Sequence, residues 1–226
     1  MDINRYIEHT NLKSFATEKE IEALCEEALL YRLHNVCIMP SWVDYAVRNF
    51  GSRGLTVCTV VGFPLGAHTT VTKLYEVEQA IKSGAAEIDA VINIAMVLEK
   101  KWNALRQELS AIRQQVKINP QHELKIIFET CYLTDEDIIR LCEICVELEI
   151  DFVKTSTGYG NAGATTAHVS LMKSICGEKS RVKASGGIRD LATCLEMIHA
   201  GADRIGTSNG VPIIQEYNKL IGNYEN

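Results

Sequence analysis

Short apolar runs rich in β-branched residues recur along the chain at 6–8, 35–39, 56–63, 87–93, 124–129, 151–156, 181–185 and 203–207, each bounded by polar or turn residues. Between them lie stretches of helical period built from good helix formers, at 17–30, 72–83, 102–116, 135–147, 166–175 and 191–200. Thr17 with Glu20 forms a capping-box signature, and Thr134 followed by Asp135 and Glu136 marks another helix start. Successive strands begin about 20 to 37 residues apart, the length of one βα unit, so the sheet is expected to be mainly parallel. Eight such units predict an α/β protein with the closed (β/α)8 TIM-barrel architecture. Periodicity leaves an open doubly wound sheet as the alternative, and the first strand is short. No Pro- or Ser-rich linker interrupts the chain, so 1–226 is expected to be a single barrel domain.

Composition narrows the function classes. Apolar residues at 46% and charged residues at 23% are ordinary globular usage. A net charge of -6 supplies no broad basic surface for nucleic acid, although a pocket for one phosphate can still be locally positive. Eight cysteines raise disulfides or metal, yet Cys37, Cys58, Cys142, Cys145 and Cys176 lie in apolar or helical stretches without paired spacing. Cys142 and Cys145 have no second pair to complete a zinc site, so buried free thiols are expected, with no metal and no cofactor. The start lacks a secretory pattern and no apolar run reaches membrane-spanning length, so a cytoplasmic protein without a membrane partner is the expectation.

In such barrels the chemistry sits at the carboxyl ends of the strands. Parallel strands are buried on both faces and should be apolar, yet Asp89, Lys154 and Lys183 each interrupt one. Lys125 and Glu129 interrupt a fourth, on one face by the period of two. Unpaired buried charges are costly, so acids and amines are expected to form one cluster. A lysine attacks a carbonyl only when neutral, and burial together with a nearby ammonium lowers its pKa; Lys183 is the candidate to do this for Lys154. Asp89 could then hold a water or move a proton. The plain alternative is that both lysines pair with acids to plug the barrel or extend outward to water, with Lys125 and Glu129 an ordinary interior pair.

Glycine-rich turns follow the last two strands, SGGI at 185–188 and GTSNG at 206–210, where barrels often bind phosphate through backbone N–H groups. Such turns also occur without any ligand. Thr157 and Gly158 add donors just beyond Lys154. His9 and His68 are expected to be loop histidines.

These motifs resemble those of the deoxyribose-phosphate aldolases along nearly the whole chain: IEHT at 7–10, VCIMPS at 36–41, VVGFPLG at 60–66, EIDAVINI at 87–94, FVKTSTG at 152–158 and KASGGIR at 183–189. The resemblance implies a metal-independent class I aldolase in which Lys154 forms the Schiff base, Lys183 tunes it and transfers protons, and Asp89 is the acid. It implies reversible cleavage of 2-deoxy-D-ribose 5-phosphate to acetaldehyde and D-glyceraldehyde 3-phosphate, in deoxynucleoside catabolism. Glu8 and Lys125 would support the proton network, and Thr157, Gly158, Gly186, Gly187, Ser208 and Asn209 would hold the phosphate. Three positions depart from the family pattern: Glu8 replaces a frequent aspartate, Tyr159 stands where some members have lysine, and Asn209 where some have serine. Cys37 matches a cysteine near the aldehyde pocket. Competing readings are a transaldolase-type lyase and a barrel that binds sugar phosphate without turnover. A homodimer or other homo-oligomer is expected, and the tail at 224–226 is a candidate to fold over the phosphate.

Overall fold

The computed structural model describes residues 2–222. Its eight parallel strands are β1 (Ile7–Asn11), β2 (Asn35–Ile38), β3 (Val57–Val61), β4 (Glu87–Val91), β5 (Glu123–Ile127), β6 (Phe152–Lys154), β7 (Arg181–Ser185) and β8 (Arg204–Thr207). Each pairs with the next in sequence, and β8 returns to β1, so the sheet closes into a barrel and the open-sheet alternative is excluded. The first strand is longer than expected, because pairing with β2 carries it on to Asn11, beyond the last β8 partner at His9.

Six helices fall where their period places them: α1 (Glu18–Leu30), α3 (Thr70–Lys82), α5 (Trp102–Val116), α6 (Asp135–Glu147), α7 (Thr166–Cys176) and α8 (Leu191–His199). Three more were not expected: α2 (Val43–Phe50), α4 (Ile94–Leu98) and α9 (Gly210–Gly222). With eight and five residues, α2 and α4 are too short for a 3.6-residue period to stand out. The start of α9 reads as a turn because it carries Gly210 and Pro212, although proline is tolerated in a first helical turn. Both expected helix starts are capped. Thr17 and Glu20 form a capping box, and Thr134 forms one with Asp137.

One large apolar core lies between barrel and helices, and a separate small cluster of Leu12, Cys37, Cys58 and Val60, with Met39 and Phe63 against it, sits at the β1 to β3 side. No helix among the described residues is long and apolar enough to cross a membrane. All eight cysteines are free.

A fully buried ion pair ties the helical layer to the strand ends. Lys73 of α3 reaches Glu108 of α5 at 2.7 Å and also donates to the carbonyl of Val91 at 2.9 Å. Its aliphatic stem lies against Gly62 beyond β3. Lys73→Met alone would strand a buried carboxylate and is expected to cost about 3–5 kcal/mol in urea unfolding. Lys73→Met combined with Glu108→Leu should recover most of that loss; equal damage from single and double variants would show that the pair is not the cause.

Candidate active site

Register is what brings the ionisable strand residues together. Lys154 on β6 is level with Lys183 on β7, and Asp89 on β4 is level with Lys125 on β5. All four point into the barrel and are essentially inaccessible to solvent. Asp89 is the hub. Its Oδ2 receives Lys154 Nζ at 2.7 Å and Lys183 Nζ at 2.6 Å, while its Oδ1 faces Lys125 Nζ at 3.1 Å and the Cys58 thiol at 3.2 Å. Glu8 pairs closely with Lys183, lies 3.5 Å from Lys125 and accepts from Asn35 at 3.0 Å. Below them, Glu87 joins Lys125 at 2.5 Å to His34 at 3.1 Å, and Arg204 stands 3.7 Å from Glu87 and 3.9 Å from Glu8.

The expected Lys125–Glu129 pair does not form. The strand ends at Ile127 and Glu129 has a left-handed backbone (φ 56°), so the alternation that would put both on one face stops before Glu129. Its carboxylate instead accepts the backbone N–H of Thr157 at 3.1 Å and the Thr157 hydroxyl. Both donors of Thr157 are thereby committed, so Thr157 shapes the turn from behind.

This column holds four cations, Lys125, Lys154, Lys183 and Arg204, against three carboxylates, Glu8, Glu87 and Asp89. A surplus positive charge in a dry interior is costly, and one neutral amine removes it. Burial, reinforced by Arg204, pushes Lys183 well below the ordinary lysine range. At Lys154 burial acts the same way but is outweighed, chiefly by Asp89, and its pKa is raised. The raised Lys154 runs against the expectation that Lys183 would lower it; Asp89 Oδ2 lies at nearly the same distance from both amines, and Arg204 acts on Lys183 in addition. Burial also opposes ionisation of Asp89 and Glu87, but Lys125 and their other partners prevail and hold both below the ordinary carboxylate range.

Above the column opens a cavity of about 520 Å3, within the usual size for a small-molecule site. Of the four cations, Lys154 alone lines it. Gly158, Gly186, Gly187 and Ser208 line it from the strand-end turns, with Thr157 among them; Asn209 does not, and its side-chain oxygen accepts from Ser208 at 3.1 Å. The turns interlock closely: Gly186 has φ 85°, and a Cβ on Gly163 would lie 2.1 Å from the Gly186 carbonyl oxygen. Sequence reasoning did not single out Lys13 and Arg189, which add positive charge to the rim; Tyr159, noted as a departure from the family pattern, lines the cavity as well. His9, expected to be a loop histidine, is instead on β1, where it is buried, lines the cavity and meets Glu27 at 2.8 Å. Arg189 ends a quoted motif and could have been found there. The tail at 224–226 lies outside the described residues.

Glu8, Cys37, Cys58 and Asp89 bring their ligand atoms within 4.8 Å of one another, a spacing a metal ion could use. Three lysine amines already stand on the two carboxylates, where a cation would have to displace them.

A closed eight-stranded barrel in which one lysine of a buried charged column lines a cavity at the strand ends, under glycine turns with backbone donors, has the form of a barrel enzyme's active site. The comparisons with known proteins make the class specific. Residues 3–216 match the sequence model of the DeoC/LacD family aldolases, and the chain belongs to that family. It is 48% identical over 219 residues to the deoxyribose-phosphate aldolase of Caldanaerobacter subterraneus subsp. tengcongensis, covering 97% of this chain and 95% of that one. It is 44% identical over 216 residues to the deoxyribose-phosphate aldolase of Clostridium tetani, covering 96% and 99%. Among solved structures, the tetrameric deoxyribose phosphate aldolase of Aeropyrum pernix superposes with a TM-score of 0.90 at 30% identity, covering 96% of this chain and 92% of that one.

Proposed function

We propose that the protein is a Schiff-base lyase that reversibly cleaves 2-deoxy-D-ribose 5-phosphate to acetaldehyde and D-glyceraldehyde 3-phosphate. One observation carries the assignment of roles: Lys154 is the only amine of the column facing the cavity, and it shares one oxygen of Asp89 with Lys183. A proton leaving Lys154 for Asp89 and passing on to Lys183 exchanges which amine is neutral without changing the charge of the column. Lys154 then attacks C1 of the open-chain sugar, and loss of water gives the iminium. The C3 hydroxyl gives up its proton toward Asp89 and Lys183, through a bound water. The C2–C3 bond breaks, its electrons enter the iminium, and glyceraldehyde 3-phosphate departs. The enamine left on Lys154 takes a proton at C2, and hydrolysis frees acetaldehyde.

The phosphate is assigned to Gly158, Gly186, Gly187 and Ser208, with Lys13 and Arg189 contributing charge at the rim. Glu8 and Lys125 hold Lys183 and Asp89 in place. Release of both aldehydes from 2-deoxyribose 5-phosphate tests the reaction, and condensation of glyceraldehyde 3-phosphate with acetaldehyde, but not with dihydroxyacetone, is the expected reverse. A preference for dihydroxyacetone would reassign the protein to a transaldolase-type donor. Absence of either reaction would leave a binding protein. A cytoplasmic homo-oligomer completes the proposal, supported by the tetramer of the Aeropyrum pernix relative.

A further inference from the structure

Tyr159 does something the catalytic column does not account for: it crosses the barrel mouth. It leaves the turn after β6, yet its hydroxyl donates to the backbone carbonyl of Leu12, just beyond β1, at 2.6 Å. Its ring meets Phe63, beyond β3, edge-on at a centroid distance of 5.5 Å and an interplanar angle of 90°. In the closed strand order β1 and β3 each lie three strands from β6, in opposite directions around the ring, so one side chain links three separate parts of the rim. The same turn is fastened on its other side, where the Tyr159 N–H donates to the Thr157 hydroxyl at 3.0 Å and Thr157 in turn is held by Glu129. Gly158 lies between the two fastenings, with φ 86° and no side chain of its own to fix it.

We propose that Tyr159 is a positioning residue that clasps the Gly158 turn across the barrel mouth and so sets the preference for phosphorylated over unphosphorylated substrate. The inference rests on the aldolase reading. A turn fixed before the ligand arrives presents its backbone donors without an ordering cost at binding, and a loosened turn incurs that cost. The loss should fall on the ligand group those donors serve. Lys154 is anchored separately, through β6 and Asp89, so imine chemistry is not the clasp's task.

The test compares Tyr159→Phe, which keeps the ring and loses the hydroxyl, with Tyr159→Ala, which loses both. Steady-state kinetics would be measured on 2-deoxyribose 5-phosphate and on 2-deoxyribose. Tyr159→Phe should raise KM for the phosphate about three- to tenfold with a much smaller change in kcat, and Tyr159→Ala should raise it further. The unphosphorylated sugar should be affected far less. Unchanged KM in both variants, an equal loss on the two substrates, or a fall in kcat alone would overturn the clasp while the wild-type aldolase activity stood. Lack of turnover by the unaltered protein would remove the aldolase reading itself, and the clasp with it.

Discussion

Lys154→Met is expected to abolish turnover, by about 10^4-fold or more, without lowering the thermal stability of the protein. The two halves of this result follow from different parts of the structure. Lys154 is the one amine of the column that lines the cavity, so no neighbour can take over attack on a carbonyl. Acetaldehyde with borohydride should therefore add a reduced two-carbon mass to Lys154 in the unaltered protein, and nowhere in the variant. Transfer of the label to Lys183 in the variant, at comparable yield, would falsify the assignment of Lys154 as the sole nucleophile. Lys154→Arg should be equally inactive, because a guanidinium does not lose its proton in a protein and cannot form the imine.

The stability half rests on charge. Four buried cations face three carboxylates, and removing Lys154 leaves equal numbers while Asp89 keeps both Lys125 and Lys183. A methionine of similar length fills the space with apolar atoms. With one amine of the native column neutral, deletion of Lys154 lets Lys183 carry the proton beside Asp89, so the column stays balanced and should hold its stability. A fall of several degrees in the unfolding temperature would show that the lysine is chiefly structural, the plug that a buried strand lysine can equally be.

Much of this cluster is legible before any coordinates exist. Asp89, Lys154 and Lys183 are each an ionisable residue in a strand that should be apolar on both faces, and the closed barrel adds the register that makes them meet. The glycine turns at 185–188 and 206–210 are legible for the same kind of reason, since they follow the last two strands of a counted set. What escapes the sequence is set by local backbone and by contacts over long separations. Glu129 counts as a strand residue until its positive φ turns it toward Thr157. Arg204 opens a strand, and nothing in its neighbourhood says that it will face Glu8 and Glu87 from strands far away in the chain. The direction of the lysine shifts escapes too. Two amines on adjacent strands suggest mutual repulsion, but they share one carboxylate oxygen at nearly equal distance, and what differs between them is Arg204, which the sequence gives no reason to place near Lys183.

That oxygen makes Asp89→Asn the most informative change after loss of the nucleophile. The amide is nearly isosteric, but it removes one negative charge from a column already short of them and leaves Lys125, Lys154 and Lys183 with less compensation. Breaking a buried network in this way is expected to cost about 3–5 kcal/mol in urea unfolding, where Lys154→Met costs none. Turnover should fall about 10^2- to 10^4-fold, since the path by which a proton passes between the amines and the C3 hydroxyl is cut. Imine formation should behave differently. Asp89 is what raises Lys154, so without it the amine loses its proton more readily, and borohydride trapping of acetaldehyde should reach half its maximum at a lower pH than in the unaltered protein. The acid limb of stability moves as well. In the native protein Asp89 has a folded pKa below its unfolded value, so its stabilisation is present above roughly pH 4 and is lost as the pH falls through the lowered folded value; the variant lacks this contribution and its acid unfolding should be correspondingly less steep. A variant that traps at the same pH as the unaltered protein would separate Asp89 from the ionisation of Lys154 and return it to the role of a structural counter-ion.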